Sequence, residues 1–320
     1  MKMLKIFGIT ILFLFMIAAG LLIVSTLHHV IQVEKETKIY PAPGRMVEVN
    51  DKLLHVYQEG QGKQTLVFMA GHGTINPALD FKPLWMKLVD DFRIVVVEKS
   101  GYGWSEPSKS PRDLDTMLEE TRKALDAAGE SPPYVLIPHS MSGLEAVYWA
   151  QKYPGEVKAV IGLDPLTPEV VEILPEPNLV QMYAMALISR TGISRTMPDA
   201  DVEKNFPLLK SDALTEEEKQ SYLAVFYRSG YSNAVLREVH ALHGNARRAA
   251  ANEFPQQIPM YFFISTEKEA DVPGWKDTLV DDLVKIQHGK YLVLDADHYL
   301  HYEQSAVIAE EARAFLEELK

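Results

Sequence analysis

Two hydrophobic patterns alternate along this chain of 320 residues. Short apolar runs rich in β-branched residues, such as Ile94-Val95-Val96-Val97, predict strands at Met46 to Val49, Leu53 to Gln58, Thr65 to Ala70, Arg93 to Glu98, Tyr134 to Pro138, Lys158 to Leu163, Pro259 to Ser265 and Tyr291 to Leu294. The first two form a hairpin around Asn50-Asp51. The later runs are apolar throughout, as strands buried on both faces are. Between them lie stretches with apolar residues at helical spacing, including Leu114 to Ala128 and Ser305 to Leu319. Strands alternating with helices predict an α/β fold built on an eight-stranded, mostly parallel sheet.

The strand pattern stops between Pro165 and Pro255, where about 90 residues of helical composition intervene. Thr215-Glu216-Glu217-Glu218 is a capping segment opening one of these helices. Met182, Tyr183, Met185, Tyr222, Phe226, Tyr227 and Tyr231 suit an adaptable apolar lid, although packing the insertion's own small core explains any one of them equally well. The predicted organisation is an N-terminal segment over 1–38, a core over 39–164 and 256–320, and a helical cap over 165–255.

The N-terminal segment differs from the rest. Ile6 to Leu27 is a run of 22 residues without a charge, and at about 1.5 Å per residue a helix of this length crosses a hydrocarbon core about 30 Å thick. A cleaved secretory signal is the competing reading, but its apolar region usually spans only about 7–15 residues before a polar boundary. Here Ala18, Ala19 and Gly20 are followed by more apolar residues. A retained transmembrane anchor is expected, and a short positive tail carrying Lys2 and Lys5 favours the amino terminus inside and the remainder outside.

Charge and composition narrow the chemistry. With 44 acidic against 32 basic side chains the net charge is −12, which argues against nucleic acid as a partner. Cysteine is absent, which removes disulfides, thiol nucleophiles, iron–sulfur clusters and thiolate zinc. His240 with His243, and His298 with His301, have three-residue spacing but lack carboxylate or thiolate partners at metal-binding spacing, so no metal or cofactor is expected.

The most informative stretch is Val135-Leu136-Ile137-Pro138-His139-Ser140-Met141-Ser142-Gly143-Leu144, an apolar strand that runs into a serine and straight out into a helix beginning near Met141. A serine exposed at a strained strand-to-helix turn needs small residues two before and two after it. Ser140 has Pro138 and Ser142 at those positions, whereas Ser142 would place Leu144 in the turn, so Ser140 is the better nucleophile. Gly71-His72-Gly73-Thr74 follows the third strand, Glu98-Lys99-Ser100-Gly101-Tyr102-Gly103-Trp104-Ser105 follows the fourth, and Asp297-His298-Tyr299-Leu300-His301-Tyr302-Glu303 follows the last.

On these motifs the chain resembles the α/β-hydrolase superfamily over roughly residues 46–320. The resemblance implies Ser140 as nucleophile, His298 as base, and an oxyanion hole from the backbone N–H groups of Thr74 and Met141. It assigns a packing role to His139 and leaves His301 a supporting or structural one. Glu98 stands where the family usually has Asp, and Asp297 where glycine is usual. Two acids compete to orient the imidazole: Glu269, at the turn after the seventh strand where the family usually carries its acid, is favoured, and Asp164, in Gly162-Leu163-Asp164-Pro165 after the sixth, is the alternative, with Glu267 and Asp271 behind. The implied activity is a serine hydrolase acting on a carboxylic ester or lipid. An aminopeptidase-type hydrolase and a non-catalytic ligand-binding member of the fold are the other readings. With serine as nucleophile, the epoxide-hydrolase and dehalogenase chemistries of the same fold are disfavoured.

Overall fold

The computed structural model describes residues 2–320. Its eight strands are β1 (Arg45–Val49), β2 (Lys52–Glu59), β3 (Thr65–Met69), β4 (Arg93–Val97), β5 (Tyr134–Pro138), β6 (Val157–Leu163), β7 (Met260–Ser265) and β8 (Gly289–Leu294). They form one sheet in the order β1-β2-β4-β3-β5-β6-β7-β8. The β1–β2 and β2–β4 pairs are antiparallel and every other pair is parallel. Asn50 and Asp51 take φ of 50° and 61°, the left-handed pair that a tight hairpin between twisted strands requires.

The central strands bury both faces by simple alternation. Val67, Met69, Val95, Val97 and Leu136 face the helices Leu114–Ala127 and Ser142–Lys152, while Leu66, Phe68, Ile94, Val96 and Ile137 pack on Phe81, Trp85 and the C-terminal helix Ser305–Glu318. Each such side chain contributes about 1.5–3 kcal/mol by leaving water. The parallel arrangement brings the C-terminal ends of β3, β5, β6, β7 and β8 to one edge, where ligands bind in sheets of this kind.

Between β6 and β7 the chain is helical, with Pro168–Ile173, Leu179–Arg190, Asp199–Asn205, Glu216–Ser229 and Asn233–Ala250. Thr215 and Glu218 form a reciprocal capping box. Tyr222 and Phe226 are buried in a cluster with Leu208, Leu214 and Val225, and Tyr183 is exposed. The last of these helices is tied to the core by buried polar groups. Asn245 accepts from Leu114 N (3.1 Å) and donates to Arg112 O (2.9 Å). Glu238 takes the Lys99 ammonium and the Tyr102 hydroxyl (2.7 Å), while Lys99 also reaches Glu145 (2.8 Å). Burial pulls the Lys99 pKa down, yet the two glutamates outweigh it and hold the ammonium above its ordinary value.

At the N-terminus, one helix long and apolar enough to cross a membrane runs from Lys2 to Ile39. It continues well beyond the apolar run because its polar end packs on the helical stretch between β6 and β7. Ser25 Oγ donates to Thr191 O (2.7 Å), and Arg195 grips Glu36 with two bonds of 2.6 and 2.7 Å while donating to His29 Nδ1 (3.1 Å). Gly192 permits this approach, since a Cβ there would lie 2.5 Å from that of His29.

Candidate active site

The turn after β5 places Ser140 at φ +54°, a left-handed conformation that non-glycine residues adopt only where the surroundings impose it. Ser140 N donates to Leu163 O (3.1 Å) and its carbonyl accepts from Leu166 N (2.8 Å), which ties the turn to the end of β6. Two glycines make room. A Cβ at Gly71 would lie 2.8 Å from the Ser140 Cβ, and one at Gly143 only 2.4 Å from Leu166 O. Pro138 ends β5 opposite Met69, and the turn forms with proline at that position. Ser142 is fully buried, its hydroxyl within reach of Met69 O (2.7 Å) and His139 O (2.8 Å), so its role is to brace the turn.

Ser140 Oγ lies 2.9 Å from His298 Nε2, and His298 Nδ1 lies 2.8 Å from Asp164 Oδ2. With the Nδ1–H donating to the carboxylate, Nε2 is free to accept from the serine hydroxyl. Asp164 is buried, at φ +49°, and accepts three further bonds: from Ser265 N (3.1 Å), Ser265 Oγ (2.6 Å) and the Trp275 indole N–H (2.9 Å). Four donors offset the cost of desolvating one carboxylate.

The carboxyl group that reaches the imidazole is therefore that of Asp164, not Glu269 as expected. Glu269 accepts from Gly274 N (3.1 Å) and Lys276 N (2.7 Å), capping the helix Trp275–Leu283, whose N-cap residue, Gly274, has no side chain to do so. Glu267 accepts from His298 N (3.3 Å) and so touches the histidine's backbone rather than its ring. Ser265 and Trp275 went unnoticed in the sequence. A serine closing a strand and a tryptophan opening a helix are ordinary residues until the fold aims both at Asp164.

His139 donates through Nε2–H to His298 O (3.0 Å), fixing the loop that carries the catalytic-ring candidate. Burial, reinforced by the neighbouring His298, lowers its pKa to about 3 and keeps the ring neutral. His301 is buried against Phe81 and His139, and burial likewise holds it well below the usual histidine range. Met141 caps the helix Ser142–Lys152, so its N–H sits at the positive end of a helix immediately after Ser140. Thr74 is buried three residues beyond Gly71, which packs on Ser140, and Gly73 between them takes φ +77°. The Glu98 carboxylate accepts from Trp104 N (2.6 Å), and glycine at 103 leaves room for its extra methylene, since a Cβ there would fall 2.0 Å from Glu98 Oε2. A surface depression of about 660 Å³ beside Arg122, Lys152 and Glu156 contains none of these residues.

A parallel sheet, a serine on a left-handed turn after β5 and a histidine after β8 together define an α/β-hydrolase, and this chain belongs to that superfamily. A family model described as alpha/beta hydrolase fold matches residues 65–220. A Bacillus subtilis protein, YbdG, itself described as uncharacterized, is 38% identical over 249 residues, 76% of each chain. A 2-(acetamidomethylene)succinate hydrolase of Mesorhizobium japonicum is 26% identical over 120 residues, 38% of this chain and 42% of that one. The enol-lactonase of Burkholderia xenovorans LB400 superposes with a TM-score of 0.62 at 19% identity, covering 85% of this chain and 99% of the lactonase, a likeness of fold.

Proposed function

We propose that this chain is a membrane-anchored serine hydrolase that cleaves a carboxylic ester or related acyl bond. The observation that carries the reading is the unbroken line of hydrogen bonds from Ser140 Oγ through His298 to Asp164, 2.9 and 2.8 Å long. Ser140 Oγ attacks the carbonyl carbon as His298 Nε2 takes its proton, and Asp164 stabilises the imidazolium. The oxyanion receives the N–H groups of Met141 and Thr74. Collapse expels the alcohol, protonated by His298, and leaves Ser140 acylated. Water, deprotonated by the same ring, then releases the acid and restores the serine. The names of the relatives, a hydrolase and an enol-lactonase, are in keeping with acyl chemistry. No metal or cofactor enters these steps.

In this reading residues 1–38 anchor the protein with its body outside the cytoplasm, 39–164 and 256–320 form the catalytic core, and 165–255 cover it. The apolar length of the N-terminal helix supports the anchor. Assays of short acyl esters beside amino-acyl amides test the substrate class. Ester turnover that falls by at least about 10³-fold in Ser140→Ala is expected. Turnover of amides alone would favour the aminopeptidase reading, and turnover of neither a ligand-binding one.

A further inference from the structure

Asp80 is a buried carboxylate that the reaction above does not use. It ends the short helix Pro77–Asp80, just past the turn that carries Thr74. Asn76 N donates to its Oδ2 (2.9 Å), while the hydroxyls of Tyr302 (2.5 Å) and Tyr222 (3.1 Å) both donate to Oδ1. Tyr302 comes from the segment after His298, and Tyr222 from the cap. Among the described residues no basic side chain pairs with Asp80, so a buried anion is balanced only by neutral dipoles. Such a charge is costly unless a complementary group arrives.

These side chains line a cavity of about 60 Å³ bounded also by Gly73, the neighbour of Thr74, and Tyr299, the neighbour of His298. Through these two neighbours the cavity adjoins the segments that carry Thr74 and His298, and its size suits a polar group of a few atoms. Its polar wall centres on the Asp80 carboxylate. Tyr222 and Tyr302, which donate to Asp80, each keep a lone pair.

Resting on the acyl-hydrolase reading, we propose that this cavity is an acyl-group subsite that selects substrates bearing a hydrogen-bond donor, an ammonium above a hydroxyl, a few bonds from the scissile carbonyl. An apolar acyl chain would leave the buried charge balanced by neutral dipoles alone, a penalty that sites built for a polar group impose strongly. The ammonium is preferred because it alone supplies the charge that Asp80 lacks. Burial raises the Asp80 pKa to about 6, which leaves the carboxylate ionised at neutral pH to receive it.

Three nearly isosteric p-nitrophenyl esters test this in the full-length protein: butyrate, 3-hydroxypropanoate and 3-aminopropanoate. The wild type should favour the aminopropanoate over the butyrate by about tenfold or more in kcat/KM, with the hydroxypropanoate between them. Asp80→Asn and, as a second variant, Tyr302→Phe should reduce that preference, the first by about tenfold. Preference for butyrate in the wild type, or an equal fall on all three esters in both variants, overturns the subsite and makes Asp80 a tether between cap and core. Wild-type protein that cleaves none of the three overturns the acyl-hydrolase reading and the subsite with it.

Discussion

Asp164 and Glu269 follow neighbouring strands, and what separates them is the company each carboxylate keeps. Asp164 holds the His298 ring with four donors around it, whereas Glu269 is spent on two backbone N–H groups at a helix start. Asp164→Asn should lower kcat by about 10³–10⁴-fold with the fold intact, because the amide favours the wrong imidazole tautomer. Glu269→Ala should instead cost about 0.5–2 kcal/mol of stability, seen as a lower Tm, with turnover largely kept. A second consequence concerns pH. His139 is neutral in the folded protein down to about pH 3 but takes a proton near 6.5 once unfolded. The unfolded chain then binds more protons across that window, so stability falls as pH drops from 6.5 toward 3, by up to about 1.4 kcal/mol per unit. Asp80 works in the opposite sense. Its folded pKa of about 6 lies above the ordinary 3.8, so the stability it contributes is complete below 3.8 and disappears as pH rises to 6. Thermal melts between pH 4 and 7.5 should therefore show Tm falling between pH 6 and 4 in Asp80→Asn, where nothing offsets His139, and falling less in the wild type.

At the scale of elements, what was legible in the sequence is what depends on local pattern. All eight strands appear within two residues of their predicted ends, since a buried strand needs a continuous apolar run and little else. Ser140 and His298 were legible because the chain must make a sharp turn at one and follow a terminal strand at the other. The acid was not, because the turns after β6 and β7 both carry carboxylates and only long-range partners, Ser265 and Trp275, distinguish them. Asp80 was invisible for the same reason: its two tyrosines lie 142 and 222 residues away in sequence. The close packing of the serine helix on the Asp164 turn yields a prediction at this scale. Gly143→Ala would drive a methyl group to within 2.4 Å of Leu166 O, moving the turn that carries Asp164. Turnover should fall by about 10²-fold while circular dichroism stays native, since small misplacements of catalytic groups are this costly.

For the whole molecule, the N-terminal helix is continuous from its apolar run to the polar turns that grip the cap through Ser25, His29 and Glu36. If this helix is the proposed anchor, its grip on the helical segment between β6 and β7 would hold the body against the membrane rather than on a flexible tether. Full-length protein should therefore stay with membranes through alkaline carbonate and be cleaved by protease added from outside intact cells. Release by carbonate would remove the anchor, and protection from protease would reverse its orientation.

The central claim is that the Ser140 hydroxyl is activated by His298. The most direct measurement is mass spectrometry of the peptide containing Ser140 after the folded protein meets a fluorophosphonate, compared with His298→Ala. A phosphonyl adduct on Ser140, formed rapidly in the wild type and slowed by at least about 10³-fold in the variant, is the predicted result. Folded wild-type protein that leaves Ser140 unmodified, or labels equally fast without His298, would contradict it.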